Sequence, residues 1–148
     1  MFPGFQTWNT INIFSYFFTV PVHLDVHWCL AVINLKEKTV KFFDSLPGHY
    51  KKKYLEVLRK YIEQEHMDKK KTPFDTSDFE LENVKDIPRQ MNGSDCGMFT
   101  LKYSEYLSRN ASITFTQEDM PYYRQRMVYE IVNNKIIHPW IGYVIPKD

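Results

Sequence analysis

The stretch Asp86-Ile87-Pro88-Arg89-Gln90-Met91-Asn92-Gly93-Ser94-Asp95-Cys96-Gly97-Met98-Phe99 constrains this chain more than any other. Asn92-Gly93 is a strong turn dipeptide, because Gly accepts positive φ at no steric cost and Asn tolerates it better than most residues. A helical pattern follows, with Phe99, Tyr103, Tyr106 and Leu107 recurring on one helix face. Ser94 or Asp95 stands where an N-cap would satisfy the free N–H groups of the first turn. Cys96 therefore falls at the start of a helix, on the rim of a tight loop. The positive end of the helix dipole favours thiolate over thiol there. Such a cysteine is a small buried hydrophobe or, with a base beside it, a nucleophile.

A base stands upstream. Val26-His27-Trp28-Cys29-Leu30-Ala31-Val32-Ile33 is apolar on both faces, as a central strand requires. Asn34-Leu35-Lys36-Glu37-Lys38 is turn-like, and Thr39-Val40-Lys41-Phe42-Phe43-Asp44 returns as a second strand. A hairpin closed around Leu35-Lys36 sets His27 opposite Asp44, or one diagonal away if the turn is longer, at about 4.5–8 Å. A carboxylate at that distance can hold one imidazole nitrogen, fix the tautomer and stabilise imidazolium. The other reading of His27 is a satisfied core residue. Gln90, across the turn from Cys96, can aim its amide at a developing oxyanion, with the Cys96 backbone N–H as second donor; otherwise it is an exposed loop residue. Trp28, on a strand, reads as a core residue.

The remaining segments supply a scaffold. The apolar run over residues 11–20 is too short to span a bilayer and lacks the flanks of a signal peptide; it suits a buried strand or a structured connector. Residues 49–65 read as a helix with Tyr50, Tyr54, Val57, Leu58 and Tyr61 as its apolar stripe. Residues 66–78 are polar and loop-like, and residues 79–84 suit a short strand. Thr116 and Asp119 make a plausible capping pair, Pro121 fits a first helical turn, and Tyr123, Met127 and Ile131 follow at fourfold spacing. The tail Trp140-Ile141-Gly142-Tyr143-Val144-Ile145 is apolar and carries no assignment. With 148 residues, 43% hydrophobic and 16% aromatic, one packed domain is expected. Net charge is +1, so no field points to nucleic acid or an anionic membrane; the lysine runs at 51–53 and 69–71 read as solvated surface. Two cysteines are too few for a disulfide framework. A glycan at the Asn92 sequon would block the Cys96 loop, which favours a reduced, intracellular setting. No metal-ligand spacing or phosphate loop is present, so no cofactor is expected; His23 and His27 alone make no metal site.

His27-Trp28, Asp44 and Gln90-Met91-Asn92-Gly93-Ser94-Asp95-Cys96-Gly97-Met98-Phe99, taken together, closely resemble the ubiquitin-like-protein-specific cysteine proteases, and within them the sentrin-specific (SUMO-specific) branch. The resemblance runs from about residue 20 to 136. It implies a papain-like α+β fold, with a mixed sheet and the nucleophile at the start of a packed helix. It further implies a Cys96–His27–Asp44 triad, Gln90 at the oxyanion hole, and substrate contacts from Trp28, Asn92, Gly93 and Ser94. The expected activity is cleavage after Gly-Gly, freeing SUMO from lysines and maturing its precursor, with SUMO and its conjugates as partners and residence in the nucleus, the cytoplasm being the second setting. The family's catalytic domain carries a longer segment before the His strand than stands here, and residues 1–19 and 138–148 depart from its usual ends. The chain is thus expected to be a single truncated domain over residues 1–148. Two further readings stay open: a half-domain that binds SUMO or another partner with little turnover, and a protease for a related modifier.

Overall fold

A computed structural model describes residues 16–46, 48–50 and 52–137. Four strands, β1 (Phe17–Leu24), β2 (His27–Asn34), β3 (Thr39–Phe43) and β4 (Glu80–Val84), form one sheet in that spatial order. The first three make an antiparallel meander, and β4 pairs parallel to β3. Parallel neighbours need a crossover, which helix α1 (Lys52–Lys70) provides. Helix α2 (Cys96–Ser108) follows β4, and a 3₁₀ turn (Gln117–Asp119) leads into helix α3 (Met120–Val132). The α+β class and the mixed sheet agree with the expectation from sequence.

β2 is buried on both faces because successive side chains point to opposite sides of a strand. Leu30 and Val32 join Phe43, Met98, Phe99, Tyr103, Phe115 and Met120 under α2. Cys29, Ala31 and Ile33 join Val40, Phe42, Leu55 and Phe79 under α1. Two helical layers thus clamp the strand that begins at His27. The expected α2 face is present: Phe99 and Tyr103 are buried, and Tyr106 and Leu107 pack at its margin.

Four expectations shift. The β2–β3 loop is longer than a two-residue turn, since Asn34 pairs with Thr39 and Leu30 with Phe43; one step further, Asp44 lies beside Cys29 and one diagonal from His27. Helix α1 starts at Lys52, later than expected, and runs through residues 66–70 to Lys70. Its core contact is Leu55, flanked by Tyr54, Leu58 and Ile62, whereas Val57 and Tyr61 are exposed. Ile131 is also exposed, although Tyr123 and Met127 pack on the core. Thr116 donates its N–H to the Asp119 carboxylate at 2.8 Å, as the capping pair requires, and Pro121 sits in the first turn of α3. Of the run over residues 11–20, expected as a buried strand or a connector, residues 11–15 lie outside the described residues and the described part enters β1 at Phe17; the tail from Trp140 to Ile145 also lies outside them. No described helix is long and apolar enough to cross a membrane.

Candidate active site

His27 opens β2 and Asp44 follows the last residue of β3, so the diagonal pairing brings them together where the two strands end. His27 Nε2 and Asp44 Oδ1 are 2.7 Å apart, with both residues buried. A carboxylate only accepts, so Nε2 carries the proton and Nδ1 is left for another partner. Asp44 is held in turn. Its Oδ1 also accepts from the Leu46 N–H at 2.9 Å, and its Oδ2 from the His49 N–H at 3.3 Å. Arg89 donates to the Asp44 carbonyl. The Cys29 thiol bonds the same carboxylate; burial first, and then the Asp44 charge, push that thiol far above the ordinary range. Cys29 is therefore a neutral donor.

Cys96 is the first residue of α2, 8% exposed. Helix α2 packs on β2, and its first turn reaches Trp28: a Cβ at Gly97 would lie 3.9 Å from Trp28 Cδ1. Trp28 is 41% exposed, its ring 4.5 Å from that of His23 on β1. It walls the site and is not core.

The loop before Cys96 is built differently from the expectation. Neither Asn92 nor Gly93 is among the described residues with positive φ. Instead Asn92 Oδ1 accepts the N–H groups of Ser94 and Asp95, each at 3.0 Å, an Asx-type turn. Asp95 takes the N-cap position without a side-chain capping bond. Its carboxylate is engaged elsewhere: Arg124 Nη2 at 2.6 Å, Asn92 Nδ2 at 2.7 Å and Gln117 Nε2 at 2.8 Å. Burial alone would raise the Asp95 carboxyl; these hydrogen bonds and the Arg124 charge outweigh it and hold the carboxyl below its usual range. Gln117 also accepts the Met91 N–H at 2.8 Å. The segment leading to Cys96 is thus tied to the start of α3.

Gln90 is buried, at 5% exposure, and is no exposed loop residue. Its Oε1 accepts from Ser45 Oγ at 2.5 Å and its Nε2 donates to the Asn92 carbonyl at 2.6 Å, leaving the second amide hydrogen for another acceptor. Its backbone N–H bonds the Ser45 carbonyl at 3.1 Å, which joins the Cys96 loop to the residue after Asp44. Asn92, Gly93 and Ser94 are exposed on that loop.

Sequence reading missed Ser45, His49, Gln117 and Arg124. The turn signal Pro47-Gly48 could have indicated that the chain doubles back on Asp44; Gly48 has φ +112°. No local signal points to Gln117 or Arg124, which reach Asp95 from the 3₁₀ turn and from α3, far along the chain. His27, Cys29 and Asp44 offer metal-type ligand atoms within 4.8 Å of one another. Two ligands of one tetrahedral zinc lie about 3.3 Å apart, so the 2.7 Å His27–Asp44 contact is a hydrogen bond and would have to open to admit an ion.

Comparison with known proteins agrees with this architecture. Residues 3–136 match the Ulp1 protease family, C-terminal catalytic domain, further toward the N-terminus than the motifs alone reach. A sentrin-specific protease of Caenorhabditis elegans is 49% identical over 129 residues, 86% of this chain and 18% of that protein. Human sentrin-specific protease 2 is 40% identical over 130 residues, 86% of this chain and 22% of that protein. Among solved structures, the C-terminal Ulp1 protease domain in complex with Smt3, the yeast ortholog of SUMO, superposes with a TM-score of 0.68 at 30% identity, covering 80% of this chain and 53% of that one. The chain therefore spans about a fifth of the curated relatives' length and about half of that solved domain. Sequence match, sheet topology and the helix opening on Cys96 agree: this chain belongs to the Ulp1 protease family.

Proposed function

We propose that this chain carries the catalytic groups of a thiol protease that cleaves after the C-terminal Gly-Gly of SUMO, on lysine conjugates and on the precursor. One observation carries the reading: a buried His27–Asp44 pair at 2.7 Å stands at the sheet end against which the Cys96 helix begins. His27 Nδ1 takes the Cys96 proton, and Sγ adds to the carbonyl carbon of the terminal glycine. The second Gln90 amide hydrogen and the Cys96 N–H stabilise the oxyanion. The amine leaves with the proton from His27, forming a thioester; a water deprotonated by His27 then releases the carboxylate and restores the thiol. Trp28, Asn92, Gly93 and Ser94 contact the substrate tail, as their exposure beside Cys96 allows. Nuclear residence belongs to the same reading and is checked by imaging the tagged chain.

Hydrolysis of a SUMO C-terminal amide substrate tests the proposal. Turnover by the parent, none by Cys96→Ala and a severe loss in Asp44→Asn are expected, because an amide cannot stabilise imidazolium. Equal rates in parent and Cys96→Ala would reject it. Tight SUMO binding without turnover would favour a binding half-domain, and preference for another modifier would change the substrate.

A further inference from the structure

Asp44 serves two imidazoles. The chain turns at Gly48 and brings His49 back over the carboxylate, where His49 Nδ1 lies 3.3 Å from Asp44 Oδ2. The same nitrogen lies 3.4 Å from the Leu46 carbonyl. Both neighbours are acceptors, so Nδ1 must carry a hydrogen. The His49 ring rests on the His27 ring, with centroids 4.2 Å apart and planes tilted by 32°. The two rings differ in access to solvent: the His49 side chain is 39% exposed and that of His27 is 5% exposed. Among the described residues, His49 makes its ring and ion-pair contacts with His27 from β2 and Asp44 from the end of β3. Behind Asp44 stand the Cys29 thiol and, on its carbonyl, the Arg89 guanidinium.

We propose that His49 is a positioning residue for the His27–Asp44 pair and that its protonation weakens that pair. By standing against Oδ2, which its own backbone N–H bonds, and covering the His27 ring, His49 restricts rotation of both groups, while Oδ1 stays with His27 and the Leu46 N–H. Once protonated from solvent, it places a second positive charge against the same carboxylate. Two imidazoliums then compete for one negative charge, and each disfavours the other. This inference rests on the reading of His27, Asp44 and Cys96 as a thiol-protease site. It adds a group whose state responds to solvent while His27 stays shielded.

Two measurements on the full chain test it without a SUMO substrate. The first follows both imidazoles by NMR titration in a Cys96→Ala background, which removes the thiolate. His49→Gln should raise the His27 midpoint, or His27→Gln that of His49, by about half a pH unit or more, because coupled sites titrate as a pair. The second is the rate of Cys96 alkylation by iodoacetamide at neutral pH. His49→Ala should slow it several-fold, and His49→Gln, which keeps a donor for Oδ2, should restore most of the loss. Midpoints unmoved by either substitution, or an alkylation rate unchanged in His49→Ala, would overturn the proposal. Failure of SUMO cleavage alone would leave both readouts intact and would count against the protease reading instead.

Discussion

Asp44 accepts hydrogen bonds on both oxygens while buried, so its orientation is set by the ends of β2 and β3 and not by solvent. That fixes the division of labour between the two cysteines. Cys29 lies against the carboxylate, and its thiol is driven up by burial and by that charge. Cys96 starts a helix, where backbone N–H groups favour an anion. Iodoacetamide at neutral pH should therefore modify Cys96 and spare Cys29, as peptide mapping by mass spectrometry would reveal; modification of Cys29 in the folded chain would break this assignment. Gln90 is fixed as firmly, between Ser45 and Asn92. Gln90→Ala should lower kcat by about 10²–10³ with KM nearly unchanged, the loss typical of one oxyanion donor. Steady-state kinetics on a Gly-Gly-linked substrate decide this, and a raised KM at constant kcat would make Gln90 a ground-state contact.

Helix α3 and the 3₁₀ turn before it act on the site from a distance, through Arg124 and Gln117 on Asp95. The Asp95 carboxyl is lowered in the folded state. Its contribution to stability is therefore present above the unfolded carboxylate pKa of about 4 and is lost as pH falls through the lower folded value. Arg124→Met should destabilise the chain at neutral pH by about 1 kcal/mol, since Arg124 is half exposed. The difference between parent and variant should shrink in acid, as urea titrations at several pH values would reveal; a difference that grows in acid would contradict the sign. Helix α1 offers a sharper contrast. Leu55 is fully buried and Val57 is 64% exposed. Leu55→Ala should cost about 2–5 kcal/mol and Val57→Ala under about 0.5 kcal/mol in the same titrations.

That contrast also marks what local pattern can and cannot reveal. Periodicity located α1 but rotated its stripe, because aromatic residues such as Tyr61 satisfy a helical spacing while remaining half in water. The His27–Asp44 pairing was legible from strand parity and loop length, to within one diagonal. Cys96 was legible from the helix pattern that follows it. The Asn92 turn was misread because its side chain does the work assigned to positive φ. The distant part of the Asp95 clamp was illegible because Gln117 and Arg124 come from a later 3₁₀ turn and from α3, and a side-chain-to-side-chain bond over that separation leaves no local signature.

At the scale of the whole molecule, β2 is the common wall: its two faces carry the two apolar clusters, and its first residue is His27. The site forms where the β2 and β3 ends meet the first turn of α2, so its geometry depends on the packing of both layers. A SUMO bearing a C-terminal electrophile, incubated with the chain and mapped by mass spectrometry, tests the central claim most directly. The account predicts a one-to-one covalent adduct on Cys96, much slower in Asp44→Asn and absent in Cys96→Ala. Binding of SUMO without an adduct, or an adduct on Cys29, would contradict it.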